Sequence, residues 1–118
     1  MTELALDPVA FAHALVERDA DALAALFADD AVLTMHDKDH PPAAPLVLHG
    51  RDAIHAWYRE VCGRNVEHTV PTIIDSAHGF AFEEQCRYPS GEGVVCLAVA
   101  TVESGLITRL TASQTWDG

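Results

Sequence analysis

Gly50-Arg51-Asp52-Ala53-Ile54-His55-Ala56-Trp57-Tyr58-Arg59-Glu60-Val61-Cys62-Gly63 is the stretch on which the reading of the fold turns. Ile54, Trp57, Tyr58 and Val61 recur at i, i+3, i+4 and i+7, one face of a helix. Gly50 opens this helix and Gly63 suits its C-terminal cap. Everything after Gly63 carries a different period. Strands are expected near 65–75, 79–88, 93–103 and 106–116, with turn signals at Asp75-Ser76, Pro89-Ser90-Gly91 and Ser104-Gly105.

Upstream, Asp7-Pro8 reads as an N-cap followed by proline at the first helical position. Phe11, Leu15 and Val16 form an apolar stripe behind it. A second short helix starts from about Asp19, with Leu23, Leu26 and Phe27 on one face, and Ala28-Asp29-Asp30 ends it. Ala31 to Met35 reads as a strand. Residues 36–49 read as a proline-rich loop, because the adjacent Pro41 and Pro42 exclude regular structure. The order helix, helix, strand, helix and four strands makes residues 1–118 a single α+β domain, and a chain of 118 residues is long enough for one core without staples.

Charge narrows the partners. The net charge is −11, with one lysine (Lys38) and six arginines. Nucleic-acid binding needs basic side chains to replace released counterions, and anionic membranes repel such a chain. Neither partner is expected. No apolar run approaches the ~20 residues of a membrane helix, and the acidic Met1-Thr2-Glu3 start is unlike a signal peptide. Cys62, Cys86 and Cys96 are odd in number and lack a CxxC spacing, which suits reduced thiols in the cytoplasm. Strand 93–103 is apolar on both faces, through Val94, Val95, Cys96, Leu97, Ala98, Val99 and Ala100. An antiparallel strand usually wets one face, so a homodimer through the outer sheet face is expected.

Three local features resemble the nuclear transport factor 2-like, or SnoaL-like, superfamily. They are Leu26-Phe27-Ala28-Asp29-Asp30-Ala31-Val32 at the helix-to-strand junction, Leu48-His49-Gly50-Arg51-Asp52-Ala53-Ile54-His55-Ala56-Trp57-Tyr58 at the third helix, and Gly105-Leu106-Ile107-Thr108-Arg109-Leu110 before the last strand. The resemblance implies a cone-shaped, curved antiparallel sheet packed on three N-terminal helices and enclosing a pocket. This superfold hosts isomerases, dehydratases, cyclases, epoxide hydrolases and non-catalytic modules, so it leaves function to the site. Ketosteroid isomerases of the fold use an aspartate base, a tyrosine and a protonated aspartate. Ungapped counting puts these positions on Met35, Phe11 and near Ala98, so that mechanism is absent. The dehydratases place a histidine on the first strand after the third helix, where this chain has His68. Their partner aspartate and tyrosine sit late in the first helix, where this chain has Leu15 and Val16. The cyclases' strand-borne aspartate has no counterpart.

His68 is the leading catalytic candidate, since an imidazole exchanges protons near neutrality. Alternation with Val66 and Val70 points it into the cone. Asp37 shares a face with Leu33 and Met35, and there it would orient His68 or act as the base. Trp57 and Tyr58 lie on the inner stripe of the third helix. Strand 79–88 has two phases: one buries Glu84 with Phe80, Phe82, Cys86 and Tyr88, and the other turns Glu83 and Arg87 inward. Cys96 would line the pocket as a structural thiol. The expected substrate-binding set is Met35, Trp57, Tyr58, Glu84, Cys96 and Gln114, beside His68 and Asp37 as catalytic residues. His36-Asp37-Lys38-Asp39-His40 holds common ligand types, but no metal is expected, because Pro41-Pro42 excludes the helix that would bring the two histidines together. With no glycine-rich phosphate loop before a helix, no cofactor is expected either. Two functions fit: an acid–base enzyme dehydrating, isomerising or cyclising a hydrophobic small molecule, or a non-catalytic module binding such a ligand.

Overall fold

The computed structural model describes residues 6–117. Asp7 caps α1 (Pro8–Val16) by accepting from the Val9 N–H at 2.9 Å. Asp19 caps α2 (Ala20–Ala25) through the Ala22 N–H at 3.0 Å. Both caps satisfy amides that the first turn of a helix leaves free. The chain continues through β1 (Phe27–His36), β2 (Leu46–His49), α3 (Arg51–Cys62), β3 (Glu67–Ser76), β4 (Gly79–Arg87), β5 (Gly93–Glu103) and β6 (Leu106–Trp116). The strands form one open, six-stranded sheet in the order β2-β1-β6-β5-β4-β3.

Three details differ from the sequence reading. Leu46–His49 is a strand, not loop, and pairs with β1 from Val32↔His49 to Met35↔Leu46. Its prolines end at Pro45, so nothing prevents the next four residues from completing the ladder. Strand β1 begins at Phe27 rather than Ala31. It carries the exposed Asp29 and Asp30 through a register shift between Phe27 and Val32. The sheet is also not wholly antiparallel, because β1 and β6 run parallel.

The buried face of the sheet packs on the helices. Phe11, Leu23, Phe27, Leu33, Ile54 and Ile107 are wholly buried. Phe11 is the hub, with its ring 5.5 Å from Phe80, 5.2 Å from Phe82 and 6.3 Å from Phe27. Such tilted aromatic contacts add to the area term of burial. On β5, Val94, Cys96, Ala98 and Ala100 face this core, while Val95, Leu97 and Val99 face outward. Two glycines are needed where they stand. Gly50 takes φ +91 before α3, and a Cβ on Gly79 would collide with the Ala100 carbonyl oxygen.

On the edge strand β3, the register shifts between Thr69 and Thr72 around Pro71. Proline cannot donate to a ladder and is tolerated at such an edge bulge. Before that shift, Val66 and His68 are buried and Val70 is half-buried, as alternation requires.

Candidate active site

The helices and the inner sheet face border a partly open cavity of about 430 Å³. His68, Asp37, Met35 and Trp57 line it, as do Tyr58, Glu84, Cys96 and Gln114. Four of them form a band across the sheet: Glu84 lies opposite Cys96, Cys96 lies opposite Gln114, and His68 lies opposite Cys86 on the next strand pair. A wider depression of about 990 Å³ opens to solvent between α1, α2 and the end of α3. It contains no buried polar group lacking a partner, whereas the inner cavity does, so the inner cavity is the candidate site.

That group is His68, which is 6% exposed. Its Nδ1 lies 2.7 Å from Glu84 Oε2, and Cys86 Sγ lies 3.3 Å from the same nitrogen. Its Nε2 is buried with no hydrogen-bond partner among the described residues. Strand β4 therefore takes the phase that turns Glu84 inward with Phe80 and Phe82. Glu83 faces outward and accepts from Thr72 Oγ1 at 3.3 Å. Asp37 does not orient His68. Its carboxylate holds His40 Nδ1 at 2.9 Å and the Asp39 N–H at 2.9 Å, so the carboxylate on His68 is Glu84.

Electrostatics follow from this burial. Desolvation, then the charge of Glu84, hold the Tyr58 phenol well above its ordinary range. The same two causes push the Cys96 thiol up to about 12 and raise the Cys86 thiol strongly. Both thiols are thus protonated and are not nucleophiles in this state. The Tyr58 hydroxyl stays protonated and makes no hydrogen bond among the described residues, which leaves it free to donate to a ligand. Among the described residues, His68, Glu84 and Cys86 form a group with metal-ligand chemistry, their donor atoms all within 4.8 Å of one another. A metal would have to displace both the thiol proton and the hydrogen bond between His68 and Glu84.

The aspartate base and tyrosine of the ketosteroid isomerases have no counterpart at their expected positions. The expected base position is Met35, an apolar wall of the cavity, and Phe11 is sealed among three other rings. A family model described as a SnoaL-like domain matches residues 9–110. The chain belongs to the SnoaL-like family. Solved structures of the same fold include a protein from Kribbella flavida provisionally assigned as a ketosteroid isomerase, 20% identical, with a TM-score of 0.77, covering 94% of this chain and 75% of its own. An NTF-2 like protein of unknown function from Burkholderia xenovorans is 19% identical, with a TM-score of 0.76 and coverage of 93% and 79%. A protein with a cystatin-like fold from Silicibacter pomeroyi is 21% identical, with a TM-score of 0.73 and coverage of 92% and 72%. At these identities the likeness concerns the SnoaL-like fold alone. No curated protein matches the chain.

Sequence reasoning did not bring Cys86 beside the histidine and missed the mouth residues Lys38 and Trp116, while Tyr88 stood inward in one of the two phases left open for its strand. The signal for Cys86 was its place two residues from Glu84 on the same face. Trp116 carried the same signal, two residues from Gln114 on β6.

Proposed function

We propose that this SnoaL-like domain is an acid–base enzyme in which His68 moves a proton on a hydrophobic small molecule held in the cavity. The observation that carries the reading is the buried imidazole whose Nδ1 is engaged by Glu84 while its Nε2 has no partner among the described residues. In the proposed resting state Glu84 accepts from Nδ1–H, and the imidazole then carries its lone pair on Nε2. A carbonyl compound with its α C–H against Nε2 would give its proton to His68. Glu84 then stabilises the imidazolium that forms. The Tyr58 hydroxyl, kept protonated by burial, would donate to the oxygen on which charge develops. Return of the proton to another carbon is isomerisation. Its delivery to a departing hydroxyl, lost as water, is dehydration.

Deuterium uptake from D₂O by a panel of cyclic hydroxyketones tests this without knowledge of the natural substrate. The wild type should accelerate exchange α to the carbonyl, and His68→Gln should lower the rate by ~10²- to 10⁴-fold. Binding of the panel with no exchange would overturn the enzyme reading and leave the non-catalytic binding module.

Two further properties belong to the same proposal. The outer sheet face serves as a homodimer surface, supported by the exposure of Ile74 (68%), Leu97 (60%) and Val99 (60%). Val99, Ala81 and Ile74 stand in one row across β5, β4 and β3. The protein works in the cytoplasm, consistent with three free cysteines and with no helix long and apolar enough to cross a membrane among the described residues.

A further inference from the structure

We propose that the cavity mouth is a binding site for an organic cation, a hydrophobic alkylammonium compound, whose place over the Trp116 ring is held in the free protein by Lys38. The proposal deepens the reading of the cavity as a ligand site and names the class of ligand it takes.

The chain has two tryptophans and two tyrosines, and all four line this one cavity. At the mouth, the Trp116 indole is fixed by its Nε1–H donating to Gln114 Oε1 at 3.0 Å, and Tyr88 packs beside it with ring centroids 5.6 Å apart. The chain's single lysine puts its ammonium 4.2 Å from the centre of the Trp116 ring. The negative face of an indole attracts a cation at this distance, more strongly where water is partly excluded. Lys38 stands between Asp37 and Asp39 in sequence, yet among the described residues its ammonium pairs with neither carboxylate. The ring is therefore its partner.

The turn that carries Lys38 is closed by two backbone hydrogen bonds, Asp37 N–H to the His40 carbonyl at 3.1 Å and His40 N–H to the Asp37 carbonyl at 3.2 Å. Its backbone is pinned, so the flexible stem alone can swing away and give up the ring. Charge selects the replacement. Asp37, Asp39, Glu60 and Glu84 line the cavity with Lys38, Arg64, His40 and His68; Arg64 is bound to Glu60 at 2.5 Å, His40 to Asp37 at 2.9 Å and His68 to Glu84 at 2.7 Å. When Lys38 withdraws from the ring, the four carboxylates outnumber Arg64 and the two histidines, which favours a cation and repels an anion. Phe82 and Leu110 line the same cavity and offer an apolar seat for the ligand's body.

The experiment compares three probes of similar shape by calorimetry and by the shift of the Trp116 indole N–H in NMR: benzyltrimethylammonium, neutral neopentylbenzene and anionic phenylacetate. The cation should bind roughly three- to thirtyfold more tightly than the neutral probe. Lys38→Met, a change on an exposed turn, should tighten the cation further by removing its internal competitor. Trp116→Leu should abolish the preference. Cation binding seen only in Lys38→Met supports the proposal equally. A neutral probe binding as well as the cation, phenylacetate binding lost in Lys38→Met, or no probe binding to either protein would each overturn it. Retention of cation binding in His68→Gln, measured beside the deuterium exchange, separates this proposal from the catalytic one.

Discussion

Glu84 does not face His68 directly across the β3–β4 ladder; it lies two residues further along, beside Cys86, and still reaches the imidazole at 2.7 Å. A long side chain on a diagonal neighbour spans that gap. In the proposed proton transfer Glu84 is therefore a positioning residue, acting on the transferred proton through the histidine.

Glu84→Gln should reduce α-proton exchange by about 10²-fold, because an amide can neither hold the tautomer nor stabilise an imidazolium. The accompanying readout is the His68 Nδ1–H resonance, shifted far downfield in the wild type and lost in the variant. A resonance and rate unchanged by the substitution would refute the pairing.

Alkaline pH should destabilise the fold through its buried thiols. The Cys96 thiol is raised by burial from 9.0 to about 12. A folded-state pKa above the unfolded one gives stability that is complete below the unfolded value and lost as pH rises. From pH 9 toward 12 each such thiol should thus remove up to about 1.4 kcal/mol per pH unit. Urea midpoints between pH 7 and pH 10.5 measure this, and Cys96→Ala should flatten the slope.

Asp37 acts in the opposite direction. Burial works to raise its carboxyl, but the hydrogen bonds from His40 and the Asp39 N–H outweigh that and hold it below 3.8. Its contribution is present above pH 3.8 and lost as pH falls through the lower folded value. Asp37→Asn should cost roughly 0.5–1 kcal/mol at pH 7. The deficit should vanish in denaturation curves near pH 2.

Phe11→Ala should cost about 3–5 kcal/mol, since it empties the hub that touches Phe27, Phe80 and Phe82. That is a large part of an ordinary domain's stability. Chemical denaturation would show it as a lower midpoint, and a midpoint within error of wild type would contradict the assigned hub.

Leu97→Glu places a charge at the centre of the exposed outer face. Sedimentation at micromolar concentration should show wild-type dimer and mutant monomer. A wild-type monomer would end the dimer proposal.

The amino-acid order alone settled a good deal. The i, i+3, i+4, i+7 stripe of α3, the Asp7-Pro8 cap and the four turn-bounded strands are local signals, and local signals survive in one dimension. The alternation of Val66, His68 and Val70 placed the histidine inward for the same reason. What needed the tertiary structure was every relation between strands. The parallel β1–β6 pairing joins residues about eighty positions apart, and no local pattern encodes a contact of that range. The four-residue β2 is too short to show a period beside its prolines. The phase of β4 stayed open because Phe80-Ala81-Phe82-Glu83-Glu84 offers two carboxylates to opposite faces. Only packing of Phe80 and Phe82 against Phe11 turns Glu84, rather than Glu83, toward His68. Sequence thus fixed which residue types were present and which face each strand tended to bury, while the meeting of His68 with Glu84 rather than Asp37 depended on strand register, which is set by the whole core at once.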